Sequence, residues 1–230
     1  MQRTAAQRYS VPRLGSPLVV DGDWAKPPWP QVQPAWLGHF MGERPIHFPN
    51  TQVKVAYDRD HLYVIFRVKD RYIRAVSQGY QSPVYQDSCV EFFFTPSTDL
   101  SQGYFNLEAH CGGTLLFQHQ TARGKDTIRI AEKDLDRIEV AHSLPRLITQ
   151  EIQRPTTWTL GYRLPVSILE NYAPVVRPCP GVVWKGNFYK CADQTSHPHW
   201  LTWSFIDRPQ PDFHRPEYFG ELLFDSGVIA

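Results

Sequence analysis

Short stretches of alternating apolar and polar residues recur along the chain between clusters of Pro, Gly, Asn and Asp, and a two-residue period dominates over a helical one. The pattern predicts strands at 52–57, 62–68, 87–95, 104–111, 114–119, 146–153, 157–164, 182–191, 201–206 and 220–224. The best helical signal is a turn or two after Pro165, over 166–171, where proline sets the start. At most one or two short helices are expected. The fold predicted is all-β, a two-sheet antiparallel β-sandwich of jelly-roll or immunoglobulin-like type, formed as one domain over 1–230 with its core at about 14–226.

Parity along the strands says which side chains face the core. In 87–95 the inward row is Val90, Phe92 and Phe94, and the other row, Asp87, Cys89, Glu91 and Phe93 with Tyr85 just before it, is too mixed for a plain solvated face. The next strand divides the same way, with Phe105, Leu107 and Ala109 inward and Tyr104, Asn106, Glu108 and His110 on the opposite row. A symmetric hairpin sets Glu91 opposite Glu108 and Phe93 opposite Asn106. Two facing carboxyls repel, so they call for sugar hydroxyls, a cation, an arginine or a raised pKa. Parity also puts Cys111 inward and Cys89 outward, which predicts no disulfide between them.

Composition narrows the function. The chain has 230 residues, 42% of them hydrophobic, enough for a full core. With 24 Lys plus Arg against 23 Asp plus Glu, no net positive field gathers nucleic acid or an anionic membrane. The longest apolar runs, 62–66 and 89–94, are far too short to span a bilayer, so a soluble chain is expected. Residues 1–10 are polar and lead into no apolar h-region, which reads as cytoplasmic as written, or as secreted or periplasmic if a signal had been removed. The four cysteines lack C-x-x-C spacing and read as buried free thiols.

Three blocks then carry a resemblance: Asp21-Gly22-Asp23-Trp24, Val55-Ala56-Tyr57-Asp58 leading into Leu62-Tyr63-Val64, and Tyr85-Gln86-Asp87-Ser88-Cys89-Val90-Glu91-Phe92-Phe93. Tyr104-Phe105-Asn106-Leu107-Glu108 before Gly112-Gly113, Trp158-Thr159 ahead of Pro165, Trp184 with Asn187-Phe188-Tyr189, and Trp203 before Phe213-His214-Arg215-Pro216 and Phe219-Gly220 continue it. From 14 to 224 the chain resembles the family 9 carbohydrate-binding modules of bacterial glycan-degrading systems, its weight coming from co-occurrence rather than from one diagnostic motif. The resemblance implies non-catalytic binding of a mono- or oligosaccharide, a ring clamped between two aromatics with amide and carboxyl groups on its hydroxyls. Tyr85 matches one aromatic and Trp203 the other, with Trp200 competing; Glu91, Asn106 and Glu108 match the polar positions. Tyrosine at 85 where tryptophan is common, and no arginine beside Asn106, are departures. No cofactor is required. Calcium is an optional one, for which Asp21, Asp23, Asp58 and Asp60 are the candidates, although no Asp-x-Asp-x-Asp-Gly loop exists.

The chemistry of the residues agrees: an aromatic ring packs on the C–H face of a pyranose, while Asn donates and accepts and ionised Glu accepts. Trp24, Trp158 and Trp184 are expected in the core. Two rivals remain at this point. Glu91 and Glu108 could approach the roughly 5 Å separation of a retaining glycosidase, and a haem-binding redox sandwich would draw on Met1 or Met41, His or Lys. His197-Pro198-His199 has the spacing of a metal-ligating pair, but Pro198 disfavours the regular strand it needs.

Overall fold

The computed structural model describes residues 7–230, and within them the alternating pattern becomes strands β1 (Arg8–Leu14), β2 (Ala35–Trp36), β3 (His39–Phe40), β4 (Asn50–Tyr57), β5 (His61–Asp70), β6 (Ile73–Ala75), β7 (Cys89–Thr95) and β8 (Tyr104–His110). They are followed by β9 (Leu115–Gln120), β10 (Ile128–Arg129), β11 (Glu139–His142), β12 (Ile148–Ile152), β13 (Thr156–Pro165), β14 (Val183–Cys191), β15 (Trp200–Thr202) and β16 (Gly220–Ile229). Two single-turn helices, α1 (Glu132–Leu135) and α2 (Val166–Leu169), complete the set; Pro165 sets the entry to α2.

One long sheet runs β10-β9-β8-β7-β14-β16-β1-β4-β5-β13-β11 and doubles over on itself, so that its two halves face each other as a sandwich. Strands β2, β3 and β15 extend it, and β6 with β12 forms a separate two-stranded sheet. Val90, Phe92, Phe94, Phe105 and Leu107 from one half meet Val53, Val55, Val64, Phe66, Trp158 and Leu160 from the other in a continuous aromatic and aliphatic core. Phe66 and Phe188 touch across it edge to face, 6.2–6.4 Å being the spacing that recurs around Tyr9 as well. The inward rows are those that parity assigned.

The sandwich is not wholly antiparallel. Strand β1 lies parallel to both β16 and β4 and closes the sheet between them, contributing Tyr9, Val11 and Leu14 to the interior. The core therefore begins N-terminal to residue 14. Pro12, which lacks a ladder N–H, sits where the β1–β16 register shifts between Val11 and Arg13, so a local irregularity absorbs it.

One charged cluster is buried at the end of the core. Lys190 Nζ donates to His199 Nε2 at 2.8 Å and lies 3.5 Å from Asp70 Oδ2, while His47 contacts Asp70 Oδ1 at 2.7 Å. Burial alone would raise the Asp70 carboxyl, yet attraction to Lys190 and the His47 contact hold it well below the usual range. Burial, with Lys190 adjacent, depresses His199 to about 3, consistent with a neutral ring that accepts from the lysine. His197 instead stacks on Tyr72 at 3.6 Å, so the two histidines do not act as a metal-ligating pair.

Candidate functional site

On the face of β7, β8, β9 and β14 turned away from the core, loops rise around a cleft of about 500 Å³, a size usual for a small-ligand site. Its floor is built by alternation: Glu91 and Phe93 from β7, Asn106 and Glu108 from β8, Leu116 and Gln118 from β9, and Cys191 from β14. The register is the symmetric one, Glu91 facing Glu108 and Phe93 facing Asn106. Strand β14 adds Tyr189 opposite Glu91 and Cys191 opposite Cys89. Cys111 belongs to the inter-sheet core and Cys89 to the cleft side, on opposite faces of the sheet.

The walls come from irregular segments. Tyr85 stands on a 3-10 turn, Val84–Gln86, and is 40% exposed. The 192–200 loop is fastened to that turn by Asp193 N to Tyr85 O at 3.2 Å and Gln194 N to Gln86 O at 2.9 Å. That loop ends in Trp200, half-buried at the cleft edge, whose Nε1 donates to Asp193 Oδ1 at 2.8 Å. The proline-rich segment supplies Pro211, Asp212, Phe213 and His214, and is anchored where Phe213 stacks on Tyr189 at 4.2 Å. Arg123 reaches Asp212 at 3.3 Å. Gln81, Pro83 and Arg129 complete the rim.

A chain of hydrogen bonds fixes the floor. Gln120 Nε2 donates to Asn106 Oδ1 and Asn106 Nδ2 to Glu108 Oε1, both at 2.9 Å. Tyr104 donates to His214 Nδ1 at 2.8 Å, and burial lowers His214 to about 4, leaving a neutral ring. Glu108 Oε2, although buried, has no partner among the described residues, and an orphaned buried polar atom calls for a ligand or water. Burial pushes Glu108 up to about 8, against the Asn106 hydrogen bond, and raises Glu91 well above the carboxyl range, helped by Cys191 and Glu108. These carboxyls are thus held as acids near neutrality, able to donate as well as accept, where ionised acceptors were expected.

This has a measurable consequence. The folded protein binds the Glu108 proton more tightly than the unfolded chain, so the group contributes stability that is present below about 4.5 and lost as the pH rises through about 8. Glu108→Gln keeps the shape and removes the titration. Its melting temperature should fall less than that of the wild type between about pH 5 and pH 9 and exceed it by several degrees at the upper end. Parallel curves for the two proteins would contradict the buried-acid assignment.

Of the six residues predicted for the site, Tyr85, Glu91, Asn106, Glu108 and Trp200 line the cleft. Trp203 does not. It is 2% exposed in the inter-sheet core, 5.5 Å from Phe188 and edge-on to Tyr9. Its ring lies over Gly220, where a Cβ would come within 2.6 Å of it. The reason is parity: Leu201 faces the core and Trp200 the cleft, so Trp203 falls on the side of Leu201. Trp158 and Trp184 are core residues, whereas Trp24 is only partly buried, with the cations of Lys54 and Arg67 at 4.4 and 4.6 Å from its ring.

The aspartates considered for calcium are held by donors of the chain itself. Asp21 pairs with Lys26, Asp23 accepts from Ala25 N, Asp58 from Tyr63 Oη and two backbone amides, and Asp60 pairs with Arg177. Among the described residues their side chains form no three-ligand group. Arg123, Arg129, Asp193, Asp212 and His214 are wall residues that the strand pattern missed; only His214, within the Phe213-His214-Arg215-Pro216 block of the resemblance, had a signal in the sequence.

The model of carbohydrate-binding family 9 matches residues 36–224. The chain belongs to carbohydrate-binding family 9. Among solved structures, this family 9 chain resembles a Bacteroides uniformis ATCC 8492 protein for which carbohydrate binding has been put forward, with 28% identity, TM-score 0.85, and coverage of 96% of this chain and 100% of that one. It also resembles a family 9 module from Caldicellulosiruptor kristjanssonii, in complex with cellotriose (16% identity, TM-score 0.63, 95% and 94% covered) and in complex with glucose (17%, 0.63, 95% and 96%). Among curated protein sequences none matches. Membership and cleft together make this family 9 chain a carbohydrate-binding protein rather than a redox or nucleic-acid domain. Met41 packs in the apolar cluster beside the cleft, and side chains fill the inter-sheet space. No helix of the described residues is long and apolar enough to cross a membrane.

Proposed function

We propose that the cleft holds one pyranose ring of a glucose-type saccharide, between the Tyr85 and Trp200 rings, and releases it unchanged. The observation that carries this reading is the pairing of two accessible aromatic walls with a buried polar floor whose Glu108 Oε2 lacks a partner. Aromatic faces take the C–H surface of the sugar, and Asn106, Glu108, Glu91 and Gln118 take its hydroxyls. Because Glu91 and Glu108 are protonated near neutrality, each offers a donor and an acceptor, which suits hydroxyls that do both. The glucose and cellotriose held by the Caldicellulosiruptor module make these the first ligands to titrate.

Hydrolysis is not expected. A retaining glycosidase needs one carboxylate ionised while its partner stays protonated, whereas here burial raises both carboxyls of one ladder pair. Incubation with cellotriose, followed by a reducing-sugar assay and calorimetry, should give binding heat without new reducing ends. Release of reducing sugar that disappears in Glu91→Gln or Glu108→Gln would replace binding with catalysis.

A further inference from the structure

The cleft floor carries two thiols that sugar recognition leaves unused. Cys89 and Cys191 are direct cross-strand partners on β7 and β14, so their side chains leave the same face of the sheet side by side. Glu91 follows two residues after Cys89 on that row, and its Oε1 accepts from Cys191 Sγ at 3.0 Å. The two sulfurs and a Glu91 oxygen all lie within 4.8 Å of one another, and all three residues are buried. Glu91 and Cys191 border the cleft, so the group is closed on the core side and open on the ligand side. On the facing strand Glu108 Oε2 is buried with no partner among the described residues, so this part of the floor is open to a group from outside the chain.

The donor set selects among occupants. Calcium and magnesium take six or more oxygens and make poor use of thiols. Zinc-class ions take two thiolates and a carboxylate readily; bonds of about 2.3 Å at a tetrahedral angle set two sulfurs roughly 3.8 Å apart, inside the observed spread. We infer that Cys89, Cys191 and Glu91 bind one thiophilic divalent cation of the zinc class, with its fourth position facing the cleft. A water or sugar hydroxyl fills that position, with Glu108 Oε2 beside it as a hydrogen-bond partner. On binding, two S–H bonds and the carboxyl O–H of Glu91 give way to bonds to the metal, and their protons leave to solvent. The site shares Glu91 with the proposed sugar contacts, whereas its two thiols belong to the metal alone.

Cd2+ alone, titrated into the reduced, chelator-treated full chain, is the probe, because thiolate-to-cadmium charge transfer absorbs in the ultraviolet. The absorption should saturate at one equivalent and be displaced by Zn2+. Cys89→Ser and Cys191→Ser should each at least halve it and weaken binding a hundredfold or more. Glu91→Gln, which keeps both thiols and the side-chain shape, should retain the band and weaken binding about tenfold or more. Cys179→Ser, which removes the exposed thiol, should change nothing. Near-ultraviolet circular dichroism confirms that each variant is folded. Trp200→Ala should bind Cd2+ normally while losing sugar, so failure of the metal site and failure of the sugar site are told apart. Absence of saturable absorption in the wild type, its persistence in both Cys89→Ser and Cys191→Ser, or its loss in Cys179→Ser would overturn the inference.

Discussion

Trp203→Ala is expected to lower the unfolding free energy by about 3–5 kcal/mol, the usual cost of removing a large aromatic from a packed core. The ring fills the space between Tyr9, Phe188 and Gly220 at the point where β1 and β16 close the sheet, and alanine leaves that volume empty. Molecules that remain folded should bind sugar nearly as well as the wild type, since the residue does not border the cleft. Denaturant unfolding and calorimetry of the same variant check both halves. A Trp203→Ala protein of wild-type stability that fails to bind would return the ring to the site.

Trp200→Ala should show the reverse. Its indole lines the cleft from a half-buried position and is held in place by Asp193. Losing an accessible aromatic platform should weaken saccharide binding at least tenfold, about 1.4 kcal/mol or more, with a stability loss well below that of Trp203→Ala. Tyr85→Ala, on the turn to which that loop is fastened, should behave like Trp200→Ala. Titration of each variant with cellotriose measures the effect, and affinities equal to that of the wild type would remove the aromatic walls from recognition.

The contrast between the two tryptophans shows how far the sequence was legible. The inward rows of β7 and β8, the Glu91–Glu108 pairing and the assignment of Cys89 and Cys111 to opposite faces all follow from a period of two, because a strand gives no freedom in which face a residue takes. The same rule separates residue 200 from residue 203, which differ by an odd step and therefore cannot share a face. The resemblance matched Trp203 to the clamp, but the local alternation favours Trp200. Strand β1 escaped detection because Pro12 and Arg13 cut its alternation short after Tyr9 and Val11, and its pairing, parallel to strands remote in sequence, leaves no local trace. The cleft walls have no period at all. Arg123, Asp193, Asp212 and His214 are brought together by loop anchors such as the Phe213–Tyr189 stack and the hydrogen bonds from 193 and 194 to the Tyr85 turn, which only the folded chain reveals. The Cys89–Cys191–Glu91 group was hidden for a similar reason: its two thiols meet only once β7 and β14 are paired.

The most direct test of carbohydrate binding in this cleft is isothermal titration of the wild type and Trp200→Ala with cellotriose in the presence of chelator. A saturable one-site isotherm for the wild type, weakened at least tenfold in Trp200→Ala, is the predicted result. No heat of binding to cellotriose, glucose or any member of a glycan array, or an isotherm that Trp200→Ala leaves untouched, would contradict it.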